Sequence, residues 1–517
     1  MNPDDILPRN TIWSRVARAA AAHPCAVAID LGDREVSYAE LVELTQRCSG
    51  ALEALALPRQ SRIALVATAT LSTYVAYLAT LRMGHVVVPL GPDNPRPFQL
   101  TAVRLAGAAA AFVARPSHEK LAAALDETGI PVLDPGVAVH AGAVAEAAPG
   151  TPQDVAYTLF TSGSTGQPKG VPIRHGNVLA YLDHVVGHYE VGVGSRLSQT
   201  FGLTFDPSVF DLFASWTSGA TLVVPRKREL LSPVAYVRAR RLTHWYSVPS
   251  LAAYARRIGR LTPDSMPDLR WSKFIGEPLA LDLALAWQRA APQSVIDNVY
   301  GPTELTVACT GYRLPAQPDP WPRSRNDTVP IGELYPRLEA IVVDNRGALT
   351  DEGELCIRGA QRFAGYLDPS ANAGRFLRAD SRRALTDGDR LADDDWYRTG
   401  DRVSRTADGL LHLGRLDRQV KVQGYRIELG DVEAAVRRHP AVLDAAVVVV
   451  HDPHAARTTL VAAVCGDERA ADDLAATLRA GVPAYMVPAA FVWLPELPVN
   501  RSGKTDYLAV RDLVGRA

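Results

Sequence analysis

The chain has 517 residues, of which 47% are hydrophobic, and its formal net charge at pH 7 is −1. A chain of this length exceeds what one hydrophobic core usually supports, so the composition predicts a globular protein of at least two domains. A net charge so close to zero gives no overall basic field that would attract nucleic acid or an anionic membrane. The start, MNPDDILPRN, has no apolar stretch typical of a secretory signal, and no run of about 18 apolar residues occurs, so no membrane segment is expected.

Cysteine and lysine are both used sparingly. The five cysteines are odd in number and form no Cys-x-x-Cys pair, which argues against a disulfide framework or a zinc site and favours a reducing cytoplasm. Only six of the 55 basic residues are lysines, so a lysine can mark a position that needs a compact ammonium group. Lys120 and Lys227 are interpreted as solvated surface residues. The other four are Lys169, Lys273, Lys421 and Lys504.

Strand and helix patterns alternate along most of the first half of the chain. Two groups follow the order strand, helix, strand: 61–68, 71–84 and 85–90, then 221–225, 232–242 and 244–249. This order predicts parallel sheets joined by crossover helices. The fold class is therefore expected to be α/β, with two mixed or parallel β-sheets flanked by helices in a large N-terminal domain.

The second half of the chain changes character. After a proline-rich surface loop at 314–330, residues 339–359 read as short strands joined by Asn, Asp and Gly turns, which predicts a β-rich subdomain. Residues 409–439 read as strands followed by a helix that begins near Gly430, and the tail alternates strand and helix. A boundary near 414–420 leaves about 100 residues, an ordinary size for a small α+β domain.

A loop rich in Gly, Ser and Thr, TSGSTGQPKG at 161–170, directly follows the apolar run VAYTLF. Its glycines allow tight turns and close backbone approach to a ligand, and its backbone N–H groups and hydroxyls can surround an oxyanion. Lys169 adds a positive charge. The loop does not match the Walker pattern because its lysine lies in Pro-Lys-Gly, so by itself it predicts only a phosphate-binding loop after a strand.

Further motifs follow this loop in a fixed order. They are FDPSVFDLF at 205–213, NVYGPTE at 298–304, GELCIRG at 353–359, YRTGD at 397–401, GRLDRQVKVQGYRIELGDVE at 414–433 and LPVNRSGKTD at 497–506. This ordered set closely resembles the core motifs of the adenylate-forming superfamily, and specifically the amino-acid adenylation domains of nonribosomal peptide synthesis. Two earlier segments, VSYAEL and LRMGHVVVPLGPDNP, also resemble family motifs, so the likeness covers residues 36–506.

The resemblance implies that ATP and Mg²⁺ are the cofactors, and it assigns most of their contacts to the larger domain. Tyr300 matches the residue that stacks on adenine, Glu304 the Mg²⁺ ligand and Asp401 the carboxylate that binds both ribose hydroxyls. The residues expected to bind the nucleotide are Thr161, Ser162, Gly163, Ser164, Thr165, Lys169, Tyr300, Gly301, Thr303, Glu304, Asp401 and Arg415.

The resemblance also implies a large N-terminal domain, 1–416, and a small mobile C-terminal domain, 417–517, with a hinge at Asp417. Lys504 matches the catalytic lysine that bridges the substrate carboxylate and the α-phosphate. Lys421 would lie on the opposite face of the small domain and would be presented when a thiol attacks the adenylate. Both lysines are therefore expected to be catalytic, in alternate steps.

The substrate pocket is expected to begin at Asp206, which matches the aspartate that pairs with the α-ammonium group of an amino acid. A buried carboxylate needs such a partner. The pocket residues carried over from the family are Asp206, Pro207, Phe210, Tyr246, Lys273, Ile275, Val299, Val307 and Ala308. Phe210 and Tyr246 would favour a small or medium side chain. If Lys273 points inward it would favour a polar or acidic side chain, and if outward, a small apolar one.

These expectations describe a stand-alone cytoplasmic ligase. It would form an aminoacyl-AMP and load the phosphopantetheine thiol of a separate carrier protein in a biosynthetic pathway, without nucleic acid or membrane partners. Two alternatives stay open: an acyl- or aryl-CoA synthetase of the same superfamily, and a nucleotide-binding homologue without catalysis. A D-alanyl carrier ligase is a closer relative that Asp206 does not exclude.

Overall fold

The computed structural model describes residues 10–141, 145–161, 168–226, 228–316, 321, 324–452, 457–499 and 505–515. These residues form two compact units. The larger unit takes its residues from Met1–Pro92, Val103–Leu159 and Gly170–Gly414. The smaller unit takes them from Asp93–Ala102, Phe160–Lys169 and Arg415–Ala517. The expected domain limits and the hinge at Asp417 stay predictions.

The described residues contain strands along the whole chain. In chain order they are β1 (Val27–Asp30), β2 (Glu35–Ser37), β3 (Arg62–Val66), β4 (Val86–Leu90), β5 (Ala110–Phe112), β6 (Val132–Leu133), β7 (Val155–Thr161), β8 (Lys169–Arg174), β9 (Arg196–Ser198), β10 (Thr221–Val223), β11 (His244–Ser247), β12 (Trp271–Phe274), β13 (Val295–Tyr300), β14 (Thr310–Arg313), β15 (Glu333–Leu334), β16 (Leu338–Val343), β17 (Glu352–Gly359), β18 (Phe376–Leu377), β19 (Trp396–Thr406), β20 (Gly409–Arg415), β21 (Gln419–Val422), β22 (Tyr425–Glu428), β23 (Val442–Asp452), β24 (Arg457–Gly466) and β25 (Ala490–Trp493).

The helices lie mainly in the first 290 residues and after residue 428. They are α1 (Ile12–Ala22), α2 (Tyr38–Glu53), α3 (Leu71–Arg82), α4 (Arg96–Ala106), α5 (Arg115–Glu127), α6 (Pro135–Ala141), α7 (His175–His188), α8 (Pro233–Ala239), α9 (Pro249–Arg257), α10 (Leu281–Ala290), α11 (Leu429–Arg437), α12 (Ala471–Gly481) and α13 (Tyr507–Val514). In the described part of the chain, no helix combines the length and apolar character needed to span a membrane.

Two helix-flanked sheets form the body of the larger unit. The nine-stranded sheet has the order β15-β14-β13-β12-β11-β9-β10-β1-β2, and the six-stranded sheet has the order β6-β5-β3-β4-β7-β8. Pairs such as β11–β12 and β12–β13 are parallel, as the strand–helix–strand pattern predicts. Strand β4, Val-Val-Val-Pro-Leu, is buried at every residue, which is typical of a strand covered on both faces.

The β-rich part of the larger unit is a five-stranded sheet in which β16, β17, β19 and β18 run in order and β20 pairs with β19. One hydrophobic core contains residues of all three sheets, including Ile63, Leu222 and Leu355. The predicted architecture of two helix-flanked sheets and a β-rich part is confirmed.

The smaller unit contains a two-stranded sheet, β21-β22, and a three-stranded sheet, β23-β24-β25. Helix α11 begins at Leu429, next to the predicted start, and packs Val432 and Val436 into a core with Ile427 and Val447. Helix α13 is capped by Asp506, whose carboxylate accepts hydrogen bonds from the backbone N–H groups of Leu508 and Ala509. This mixture of helices and strands matches the predicted α+β class.

Candidate functional site

The turn after β13 has no room for a side chain at its first position. A Cβ atom on Gly301 would lie 2.6 Å from the Cα atom of Ala308 and 2.7 Å from the carbonyl oxygen of Val307. Only glycine fits between these backbone atoms, so the chain turns at once after Tyr300 and enters a short 3₁₀ segment, Thr303–Leu305. The Tyr-Gly-Pro-Thr-Glu motif is therefore a tight turn at the carboxyl end of a buried strand.

Tyr300 and Asp401, which the sequence places 101 residues apart, meet in the structure. The hydroxyl of Tyr300 donates to Oδ2 of Asp401 at 2.6 Å, and Nε2 of His412 lies 3.0 Å from Oδ1. The backbone N–H of Asp401 donates to the hydroxyl of Thr399. Burial, with the nearby Asp401 charge, raises the pKa of Tyr300 well above its usual value, so it stays a hydrogen-bond donor. The carboxylate is thus fixed from both sides.

Glu304 is fully buried, with an exposed fraction of 0%. The hydroxyl of Tyr366 donates to its Oε1 at 2.8 Å, and the backbone N–H of Phe363 donates to its carbonyl oxygen. A carboxylate held in this way is the kind of hard oxygen ligand that suits Mg²⁺. Among the described residues, no group of three or more His, Cys, Asp or Glu side chains is arranged to hold a metal ion.

The segment that follows Glu304 is strained and clamped. Thr306 and Val307 have φ angles of 58° and 73°, which are unfavourable for β-branched residues. The buried amide of Gln361 donates to the carbonyl oxygens of Leu305, Thr306 and Ala308, the last at 2.7 Å. In return, the Thr306 hydroxyl donates to the carbonyl of Gln361 at 2.7 Å. This clamp holds Val307 and Ala308 in place.

The expected substrate residues from three strands lie on one face of the nine-stranded sheet. Tyr246 pairs with Lys273, and Lys273 pairs with Asp297 on the next strand. Side chains of directly paired residues point to the same face, and so do residues two apart along a strand. Lys273, Ile275 and Val299 therefore share this face, and Tyr300 points to the other.

The turn that carries Asp206 precedes a buried segment of π-helix, Phe210–Ala214. Asp206 is half-buried, and its carbonyl accepts from the backbone N–H of Val209. Pro207 is buried, and the ring of Phe210 packs edge-on against Tyr246 with 5.2 Å between centroids. The predicted pocket residues Ile275, Val299, Val307 and Ala308 are also buried. The structure thus joins Phe210 to the sheet face defined above.

Lys273 is enclosed by aromatic side chains. Its Nζ donates to the hydroxyl of Tyr181 at 2.9 Å and lies 3.8 Å from the ring centroid of Phe210 and 4.4 Å from that of Tyr246. The ring of Tyr189 is 4.7 Å away. Burial lowers the pKa of Lys273 to about 7, although Asp297 and Asp211 raise it. Its side chain points inward, toward the other pocket residues.

Several predicted residues fall in the smaller unit or outside the described residues. Arg415 and Asp417 form a two-point ion pair, with Nη2 and Oδ2 2.7 Å apart, and Lys421 lies on β21. In the phosphate loop, Thr161 ends β7 and Lys169 begins β8, both half-buried. Ser162, Gly163, Ser164, Thr165 and Lys504 lie outside the described residues. Their assigned roles stay predictions.

Comparison with known proteins identifies the family. The model of the AMP-binding enzyme family matches residues 16–367, and that of the AMP-binding enzyme C-terminal domain matches residues 431–504. The chain belongs to the AMP-binding enzymes. The resemblance to the adenylate-forming superfamily is thus confirmed, and with it ATP use and an AMP-forming ligase activity.

Relatives of this AMP-binding enzyme cover nearly all of it. D-alanine–D-alanyl carrier protein ligase of Lacticaseibacillus rhamnosus is 30% identical over 97% of this chain and 98% of its own length. Tyrocidine synthase 3 of Brevibacillus parabrevis is 32% identical over 97% of the chain, which spans only 8% of that protein. The Vibrio cholerae adenylation domain AlmE, solved with glycyl-adenosine-5′-phosphate, is 26% identical over 98% of each chain with a TM-score of 0.84.

Some residues of the site in this AMP-binding enzyme lie outside the motifs and could not be identified from the sequence. His412 and Gln361 lie between recognised motifs, and only the packing of β20 and of the 360–363 segment brings them to Asp401 and to the 305–308 turn. Tyr181 and Tyr189 lie on or next to α7, far from Lys273 in sequence. Their sequence patterns are those of ordinary core aromatics.

Proposed function

We propose that this AMP-binding enzyme activates an amino acid as aminoacyl-AMP and transfers the aminoacyl group to the phosphopantetheine thiol of a separate carrier protein. One observation carries the proposal. Val299 and Tyr300 are consecutive residues at the carboxyl end of β13 and point to opposite faces of the sheet. Val299 lies on the face that carries Tyr246 and Lys273, and the Tyr300 hydroxyl donates to Asp401. In α/β sheets such strand ends are where ligands bind.

In the first step a carboxylate oxygen of the amino acid attacks the α-phosphorus of ATP. A new P–O bond forms, the bond to the β-phosphate oxygen breaks and pyrophosphate leaves. Asp401, oriented by Tyr300 and His412, would accept hydrogen bonds from the ribose, and Asp206 would pair with the α-ammonium. Mg²⁺, held in part by Glu304, would neutralise phosphate charge during this step. Lys504 would stabilise the charge that develops between the two anionic reactants.

In the second step the thiolate of the carrier's phosphopantetheine attacks the acyl carbon. The C–S bond forms, the mixed-anhydride C–O bond breaks and AMP leaves with its electron pair. Support for an amino acid and a carrier comes from the relatives: one is named a D-alanyl carrier protein ligase, and another was solved with a glycyl adenylate. Asp206 supports the same conclusion, because a half-buried carboxylate suits an ammonium group.

The test is ATP–pyrophosphate exchange with a panel of amino acids and with their deaminated acids. We expect exchange only with acids that carry the α-ammonium, and Asp206→Ala should remove that discrimination. Acyl transfer to a phosphopantetheinylated carrier, but not to free coenzyme A, completes the test. Transfer to coenzyme A would favour a CoA synthetase, and exchange with no acid at all would favour a nucleotide-binding protein without catalysis.

A further inference from the structure

The lysine enclosed in the pocket bears on substrate choice. Lys273 is 2% exposed, and its stem starts from the central strand β12 on the same face as Tyr246, Ile275 and Val299. From there its ammonium reaches the ring face of Phe210. Three bulky buried side chains, those of Phe210, Tyr246 and Lys273, therefore pack against one another among the expected pocket residues.

Aromatic side chains surround the ammonium group of Lys273. Four aromatic rings, of Tyr181, Tyr189, Phe210 and Tyr246, lie within 5.4 Å of Nζ, measured to their centroids. Electron-rich ring faces attract a cation, most strongly when water is excluded. The Tyr181 hydroxyl accepts one hydrogen bond. Among the described residues, the ammonium is thus contacted by one hydroxyl and four ring faces of the protein itself.

Two buried carboxylates, Asp297 and Asp211, raise the pKa of Lys273 and so oppose the larger effect of burial. Asp297 is 1% exposed, and its Oδ2 accepts from the Tyr189 hydroxyl at 2.9 Å and lies 3.0 Å from Nε2 of His188. Asp211 is 0% exposed, and within the described part of the chain neither of its carboxyl oxygens has a well-aligned hydrogen-bond partner. Burial raises the pKa of Asp211 well above its usual value, and the Lys273 charge opposes that rise.

Building on the proposed function, we infer that Phe210, Tyr246 and Lys273 close the pocket. The amino acid accepted has a side chain no larger than that of alanine or serine. The Lys273 ammonium contacts the Tyr181 hydroxyl and the aromatic rings around it, and it does not bind a substrate acid. The inward-pointing side chain of Lys273 thus limits the size of the substrate side chain. From the sequence alone, an inward orientation was connected with a polar or acidic substrate.

The first test needs no variant. Pyrophosphate exchange by the wild-type enzyme is measured with Gly, Ala, Ser, Asp, Glu, Leu and Phe. Each excess methylene in a close-fitting pocket costs roughly 10-fold to 200-fold. We therefore expect kcat/KM for the best of Gly, Ala and Ser to exceed that for Leu or Glu by about 100-fold or more. Preference for Asp or Glu, or for Leu or Phe, overturns the inference but leaves amino-acid activation intact. Exchange with no amino acid overturns both.

Two variants separate size from charge. Lys273→Ala shortens this side chain and should raise the ratio of Leu to Ala activity by about 10-fold or more. Lys273→Met keeps the side-chain length and should leave that ratio unchanged. Phe210→Ala opens the pocket while keeping the lysine, and it serves if the Lys273 variants fold poorly. Lys120→Ala, at an exposed position on α5, is the matched control. The inference is contradicted if Lys273→Ala and Phe210→Ala both leave the ratio of Leu to Ala activity unchanged. It is also contradicted if the wild type is active with Glu and Lys273→Met loses that activity.

Discussion

Removing one hydroxyl, in Tyr300→Phe, tests whether Asp401 is a nucleotide ligand held in position by its neighbours. The Tyr300 hydroxyl donates to Oδ2 at 2.6 Å, and its loss leaves His412 as the side chain that orients Oδ1. Hydrogen bonds to a charged group contribute about 1.5–3 kcal/mol. If that orientation is needed to receive the ribose hydroxyls, the KM for ATP should rise roughly 10-fold to 150-fold, since 1.4 kcal/mol corresponds to a factor of ten.

The assay is pyrophosphate exchange at saturating amino acid, with ATP and 2′-deoxy-ATP as alternative substrates. The wild type should discriminate against the deoxynucleotide, and Tyr300→Phe should discriminate less, because its carboxylate is less well fixed. Tyr312→Phe is the matched control: its hydroxyl donates to Asp408 at 3.2 Å on the surface, where such contacts contribute little. Equal KM values and equal discrimination in wild type and Tyr300→Phe would refute the role given to this pair.

Three further predictions concern the metal, the catalytic lysine and the buried lysine. Tyr366→Phe removes the hydrogen bond to Glu304 and should raise the Mg²⁺ concentration for half-maximal exchange about 10-fold, with a smaller effect on the KM for the amino acid; an unchanged magnesium titration would contradict this. Lys504→Ala should abolish adenylate formation while ATP binding, measured by calorimetry, is retained, and full exchange activity would rule the role out. The pKa of Lys273 is about 7 in the folded state against 10.5 ordinarily, so the unfolded chain binds this proton more tightly between those values and stability rises with pH there. The free energy of unfolding of the wild type minus that of Lys273→Met, from urea denaturation, should therefore be higher at pH 9 than at pH 7; equal values would show that the site does not titrate.

The sequence predicted the local structure best where the residues of one motif determine the path of the chain by themselves. Strand, turn and glycine in NVYGPTE fix the direction of the chain after β13, whereas the roles expected of Tyr300 and Glu304 come from the family resemblance. The hydrogen bond between Tyr300 and Asp401 was not predicted, because contacts between residues so far apart in sequence depend on how the sheets pack.

The orientation of the Lys273 side chain could not be predicted from the sequence. Its motif, WSKFIGEP, left inward and outward orientations open, and the register of β11, β12 and β13 decides between them. Even with that orientation known, the substrate class depends on the rings around the ammonium. Those rings come from α7 and the π-helical segment, which no local pattern connects with β12.

Gln361 illustrates a third kind of limit. A glutamine between two strands carries no chemical signature, yet its amide is the group that satisfies three carbonyls of the 305–308 turn. The need for it follows from the left-handed backbone at Thr306 and Val307, which is visible only in the folded chain. Sequence patterns of apolar and polar residues do not report such strain.

This clamp also matters for anyone who would re-engineer the enzyme. Val307 and Ala308 are two of the predicted pocket residues. Their backbone conformation is held by Gln361, which lies more than fifty residues downstream. Replacing those two side chains with the pair found in another enzyme does not transfer the backbone contacts that hold them in position. Chimeras that transplant residues 299–308 and 360–363 together should keep their activity more often than point-by-point recoding.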